Sequence, residues 1–200
     1  MTKLPVVIAL EGTPGAGKTT IMQQLRDNYK NTDGIDQILP KDLPDKQITL
    51  SAIFASDQLK TKAIIASEAS MIILDRYYQS TAAYHWVHDK SYGAQSFNDV
   101  NEWKNRGLQS GALIRPDYTF FIDIEPELST SRKNRKLVKS GTKAWIREYF
   151  LTHMRNYYLN LTHSTDVNCI LIDGRVTIKQ VIAIVLTTVR FDEKGTYDKK

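Results

Sequence analysis

The chain has 200 residues, 42% of them hydrophobic and 24% charged, with a formal net charge of +5, which allows one sizeable core and a single domain. One cysteine, Cys169, excludes a disulfide framework and a cysteine zinc site. No apolar run approaches the ~20 residues of a membrane span, and the basic balance suits an anionic partner.

In chain order, PVVIAL (5–10) reads as a strand. It runs directly into a glycine-rich loop with no small-residue cleavage site, so it is not a signal peptide and the expected setting is cytoplasmic. GKTTIMQQLRDNYK (17–30) follows, with Ile21, Leu25 and Tyr29 at spacing four, as in a helix packed on a core. QIL (37–39) is a weak strand candidate, and MIILD (71–75), YTFFIDI (118–124) and NCILID (168–173) are strong ones. Their near-continuous apolar character fits strands of a parallel sheet covered on both faces. AWIREYFLTHMRNYYLNL (144–161) and VTIKQVIAIVLTTV (176–189) read as helices. The alternation predicts an α/β fold, a doubly wound parallel sheet of about five strands. One domain is expected over 1–190, with a polar tail over 191–200.

Gly12-Thr13-Pro14-Gly15-Ala16-Gly17-Lys18-Thr19 matches G-x-x-x-x-G-K-[ST] at every fixed position. Strand before and helix after are the context this phosphate loop needs. Glycines let backbone N–H groups turn towards phosphate oxygens, and the helix adds its positive end. Lys18 is assigned to the β- and γ-phosphates and the Thr19 hydroxyl to Mg²⁺, with Thr20 completing the cofactor-binding stretch. The loop suits ATP or GTP, and the lack of a guanine-specifying N-K-x-D stretch favours ATP.

MIILDRYYQSTAAYH (71–85) ends its strand in Asp75, a carboxylate placed to orient Mg²⁺, and continues with Arg76. The planar fork of Arg76 suits an anionic acceptor or the transferring phosphoryl group. SRKNRKLVKSGTK (131–143) carries Arg132, Lys133, Arg135, Lys136, Lys139 and Lys143, a basic helical lid whose closure supplies transition-state charge. No aromatics interleave these cations, so a nucleic-acid partner is not expected, and neither is a membrane. His85, His88, His153 and His163 lack acidic or thiol companions at ligand spacing and read as surface or packing residues.

These stretches together resemble the thymidylate kinase family. EGTPGAGKTT (11–20) is similar to its E-G-x-[DE]-G-A-G-K-[ST]-T, and DRYYQSTAAYH (75–85) to its D-R-[YH]-x-x-S-x-x-A-[YF]. RPDYTFFIDIEPELSTSRKNRK (115–136), FLTHMRNYYLNL (150–161) and LIDGRVTIKQV (171–181) match later family motifs in the right order. The resemblance implies a P-loop nucleotide kinase, with ATP and Mg²⁺ as cofactors, a small nucleotide or nucleoside as acceptor, and a homodimer. It implies that Arg76 binds the acceptor phosphate, that Tyr84 lies against the sugar, and that Phe54 stacks on the base. Gln58 and Tyr77 are placed with these on the acceptor side. Arg132 and Arg135 close over ATP, and Arg175 joins Arg132 among the cofactor-binding residues.

Three departures concern the acceptor. Pro14 replaces the acidic residue that contacts the sugar hydroxyl, Gln58 replaces the arginine that reads thymine, and the R-E-P-G-G-T segment is missing, with QILPKDLPDK (37–46) roughly there. Three readings stay open from sequence: a nucleoside monophosphate kinase acting on dTMP or a related nucleotide, a nucleoside or other small-molecule kinase, and an acceptor-independent ATPase switch.

Overall fold

The strong apolar runs become four strands, β1 (Val6–Glu11), β3 (Met71–Asp75), β4 (Tyr118–Asp123) and β5 (Cys169–Asp173), joined by a short β2 (Thr32–Ile35). The computed structural model describes residues 5–36, 50–93, 96–137 and 148–191. All pairings are parallel, in the order β2-β3-β1-β4-β5. The helices among the described residues are α1 (Lys18–Asn28), α2 (Leu50–Ala66), α3 (Tyr78–Tyr92), α4 (Ser96–Ser110), α5 (Pro126–Leu137), α6 (Glu148–Thr162) and α7 (Ile178–Val189).

Successive side chains of central β1 point to opposite faces and both faces are covered, which is why its sequence shows no polar alternation. Val6, Ile8 and Leu10 pack with Ile21, Met22 and Leu25 of α1 and Val181 and Val185 of α7. Val7 and Ala9 pack on the other side with Ile72, Leu74, Ile64 and Tyr77. Beside them Phe121, Val87, Met154 and Tyr158 form an aromatic-rich cluster between β4, α3 and α6.

Two expectations change. The fifth strand is Thr32–Ile35, not QIL at 37–39, which lies outside the described residues. Thr-Asp-Gly-Ile has a single apolar residue because β2 is an edge strand, and Gly34 admits Met22, whose Cγ would stand 3.0 Å from a Cβ there. β5 is the other edge, not a strand buried on both faces, and its Leu171 is 48% exposed. At the C-terminal end α7 starts with a reciprocal Thr177–Gln180 capping box. Phe191, the first residue of the expected tail, is buried in the core, and 192–200 lie outside the described residues.

The register Leu10↔Asp75 between β1 and β3 sets the C-terminal ends of both strands beside the glycine loop. That is the crevice at which open α/β sheets bind ligands.

Candidate active site

The loop after β1 turns through residues with positive φ: Gly12 at 141°, Gly15 at 85° and Gly17 at 90°. At Gly12 the reason is also steric, since a Cβ would lie 2.6 Å from the Ile122 carbonyl oxygen of β4. Gly17 caps α1 from the left-handed region, so the first N–H groups of an 11-residue helix face the loop. Lys18 is buried, and its Nζ donates to the carbonyls of Gly12 (3.0 Å) and Thr13 (2.9 Å). The Thr19 hydroxyl donates to the Asp75 carboxylate, so the two residues assigned to Mg²⁺ meet at the loop. Two hard oxygen donors beside a backbone cradle open only to glycine are a donor set that fits Mg²⁺ and polyphosphate. Thr20 is exposed beside them, and Ala16 is buried in the core. From α5, Ser129 Oγ donates to the Pro14 carbonyl and Arg132 Nη1 to that of Gly15 (3.3 Å). The lid arginine thus rests on the phosphate loop. Arg135 falls within α5, but its side chain lies outside the described residues.

Arg76 occupies a left-handed turn, φ 65°, between β3 and α3. Its amide donates to the Leu10 carbonyl at 3.1 Å. Its Nη1 donates to the Gly12 carbonyl and to Ser80 Oγ, each at 3.1 Å, and its guanidinium stands 5.7 Å from the centre of the Tyr84 ring. Gly12 therefore links the cations of both sides of the site. Beneath Arg76 lies Glu11, fully buried, accepting from Tyr77 N (2.9 Å), Tyr158 OH (3.0 Å) and Ser80 Oγ. Burial pushes its carboxyl pKa up, against the pull of Ser80, Arg76, the Tyr77 amide and Tyr158. The sequence offered Glu11 only as a motif letter.

On the acceptor side the structure separates the candidates. Tyr84 is half-buried against Phe150 (5.9 Å between ring centres). Phe54 stacks on Trp103 of α4, centroids 3.9 Å apart and planes within 9°, so Trp103 covers one ring face. Gln58 is exposed one turn further along α2. Tyr77 is a correction: it is a core post, not a cleft residue. It is 1% exposed, its hydroxyl bonds Thr61 Oγ1 and accepts from Ile114 N at 3.2 Å, and burial pushes its pKa up to about 12.

Sequence reading missed two buried charges on α2. Asp57 accepts from Thr81 Oγ1 at 2.8 Å, and Lys60 reaches the backbone of the Asp75–Arg76 turn. Burial pushes the Asp57 carboxyl up to about 6 despite the pull of Lys60, and burial lowers the Lys60 pKa despite Asp57. Arg175 is exposed and pairs with Asp173 at 2.7 Å beyond β5. It lines a shallow pocket with Asp123, Glu125 and Arg155, where Arg155 pairs with both acids at 2.6 Å.

The thymidylate kinase family model matches residues 10–184. The chain belongs to the thymidylate kinase family, and it is a P-loop phosphotransferase. It is 28% identical to the thymidylate kinase of Caldanaerobacter subterraneus subsp. tengcongensis, covering 94% of this chain and 96% of that protein. It is 27% identical to the probable thymidylate kinase of Methanosarcina mazei, covering 84% and 87%. Among solved structures it is similar to deoxyadenosine kinase from M. mycoides with bound dATP (TM-score 0.71, 15% identity, covering 92% of this chain and 99% of that one). At that identity the likeness speaks for the fold. In keeping with this kinase family, no described helix is long and apolar enough to cross a membrane.

Proposed function

We propose that this thymidylate kinase family member transfers the γ-phosphoryl group of Mg-ATP to a nucleoside monophosphate, dTMP or a related nucleotide, in the cytoplasm. The carrying observation is Arg76. Its guanidinium bonds neutral oxygens of Gly12 and Ser80 and has no carboxylate within ion-pair range among the described residues. A cation held between the phosphate loop and α3 in the field of buried Glu11 and of Asp75, but in direct ion pair with neither, keeps its donor fork for an anionic acceptor.

The remaining residues divide the work. Lys18 exchanges the Gly12 and Thr13 carbonyls for β- and γ-phosphate oxygens. Thr19 and Asp75 would hold Mg²⁺, which supplies charge neutralisation at those oxygens. Arg132 approaches from α5 and stabilises charge developing on the transferred group. Phe54 offers a stacking face to a base, and Gln58 offers both a donor and an acceptor to its edge.

A nucleoside kinase is the second reading, supported by the Pro14 and Gln58 departures and by the neighbours titled deoxyadenosine kinase. It is disfavoured by acid–base chemistry. A sugar hydroxyl needs a carboxylate base within hydrogen-bond reach, whereas an acceptor phosphate is already anionic. Among the described residues next to Arg76, Glu11 is fully buried and takes three donors, and Asp75 is bonded to Thr19. The test is incubation with Mg-ATP and a panel of nucleosides and nucleoside monophosphates, products read by mass. A diphosphate formed from one monophosphate is expected and names the base. A monophosphate formed from a nucleoside replaces the proposal with the second reading, and ADP released without any phosphorylated acceptor rejects both.

A further inference from the structure

Lys60 is 1% exposed and belongs to none of the phosphate-loop, lid or D-R-Y stretches. From the third turn of α2 its Nζ donates to the carbonyl oxygens of Asp75 (3.3 Å) and Arg76 (2.6 Å). These carbonyls belong to the peptides on either side of Arg76, a residue that bears a side chain in the left-handed region at φ 65°. Such a conformation persists only where the surroundings fix it. The amide of Arg76 is held by Leu10 O, and Lys60 supplies the complementary hold on the carbonyl side.

We propose that Lys60 is a positioning residue for phosphoryl transfer: it clamps both peptides flanking Arg76 and thereby aims the Arg76 guanidinium across Gly12 and Ser80. The proposal rests on the reading that Arg76 serves the acceptor. An apolar side chain in the same place would fill the volume and leave two carbonyls of the turn without their donor. Asp57, three residues earlier on α2, favours the charged form of Lys60 and binds Thr81 of α3. Lys60 and Asp57 together tie α2, the β3–α3 turn and α3 into one body. Phe54 and Gln58 sit on that same helix. A base stacked on Phe54 is thus placed, through a rigid helix and one ammonium group, relative to the arginine that meets its phosphate.

The test compares wild type with Lys60→Met and Lys60→Gln, using the acceptor that the product panel identifies. Steady-state kinetics are measured beside ATP affinity by calorimetry and the thermal midpoint. Methionine keeps the volume and donates nothing, while glutamine keeps two N–H donors. Lys60→Met is expected to raise the acceptor KM about tenfold and to lower kcat by up to about a hundredfold, with ATP affinity within about twofold. Lys60→Gln is expected to recover most of that loss. A lower midpoint with unchanged acceptor KM and kcat overturns the proposal, as does an equal defect in both variants. If Lys60→Met does not fold, Lys60→Arg keeps the charge and lengthens the strut. A raised acceptor KM at constant ATP affinity is then expected, and an unaltered one overturns the proposal. Arg76→Ala separates the two layers. If it moves ATP affinity and spares the acceptor KM, the acceptor reading of Arg76 fails and the proposal with it. If it raises the acceptor KM and Lys60→Met does not, the Lys60 proposal alone fails.

Discussion

Gly12→Ala is the sharpest single perturbation of the cradle. The new Cβ would sit 2.6 Å from the Ile122 carbonyl oxygen, about 0.8 Å inside the 3.4 Å at which ordinary contact begins. The obstacle is backbone of β4, paired there with Ile172 of β5, so the loop must move, not the strand. Alanine at φ 141° is strained as well. Strain and forced displacement together cost roughly 2–6 kcal/mol, a fall of roughly 5–20 °C in midpoint for a domain of this size. The functional cost is separable. The Gly12 carbonyl accepts from both Lys18 Nζ and Arg76 Nη1, so moving it by most of an ångström displaces both cations. A misplacement of that size weakens transfer about a hundredfold. Gly111→Ala is the control: it lies outside the phosphate loop, φ is 76° and nothing lies within 4 Å of its Cβ, so only strain of about 1–2 kcal/mol applies. Midpoints by circular dichroism, ATP affinity by calorimetry and kcat for both variants decide the matter. If Gly111→Ala is the more damaging, or Gly12→Ala keeps kcat, the steric account of the cradle is wrong.

Arg132→Ala should lower kcat about a hundredfold without changing the midpoint, because the side chain is exposed and its described contact is the Gly15 carbonyl; an unchanged kcat removes Arg132 from the transfer step. Thr13 is fully buried, and its hydroxyl has no partner among the described residues. Thr13→Val should therefore hold or raise stability, by up to about 1–3 kcal/mol, and a fall in midpoint refutes the unpartnered hydroxyl. Asp57 is raised by burial from 3.8 to about 6 while Lys60 and Thr81 pull it down and Glu11 pushes it up. Its protonation favours the folded state, so its contribution is full below about pH 4 and is lost as pH rises through about 6. Acidifying from pH 7 to 4 should thus stabilise wild type relative to Asp57→Asn by about 3 kcal/mol at most. Equal pH slopes of the two midpoints between 4 and 7 would show that this carboxyl titrates at its ordinary value.

What the sequence made legible was what is contiguous or uniformly buried. The phosphate loop occupies eight consecutive residues, Gly12 to Thr19, and its chemistry is set mainly by backbone and one lysine, so the string alone specifies it. MIILD and YTFFIDI announced strands because both faces of the central sheet are covered. β2 escaped because an edge strand of four residues needs little apolar character. Tyr77 was misplaced because motif proximity to Arg76 says nothing about direction. The extended Tyr77 backbone that caps α3 sends the ring under α2, towards Thr61. Asp57 and Lys60 carried no signal at all. Two charges three apart on a helix read as a solvated face, and only packing shows that this face is turned inward.

That asymmetry also explains why the donor side survives where the acceptor side has changed. Lys18, Thr19 and the loop amides are fixed by local backbone and by the contact of Gly12 with β4, so they tolerate little variation. The acceptor wall we propose draws on Phe54 and Gln58 of α2, Tyr84 of α3 and Trp103 of α4, three elements whose side chains can be exchanged singly. Gln58 is exposed, so on that proposal a different residue there alters the base edge that is read without moving Arg76 or the loop. In the proposed arrangement the base is chosen at the α2 surface, and the phosphate is placed beneath it by the Arg76 turn. Acceptor identity can drift while transfer geometry stays, so Gln58→Arg should re-rank the acceptor bases towards dTMP at nearly constant ATP affinity. A ranking left unchanged by that substitution would place the base somewhere other than the Phe54–Gln58 wall.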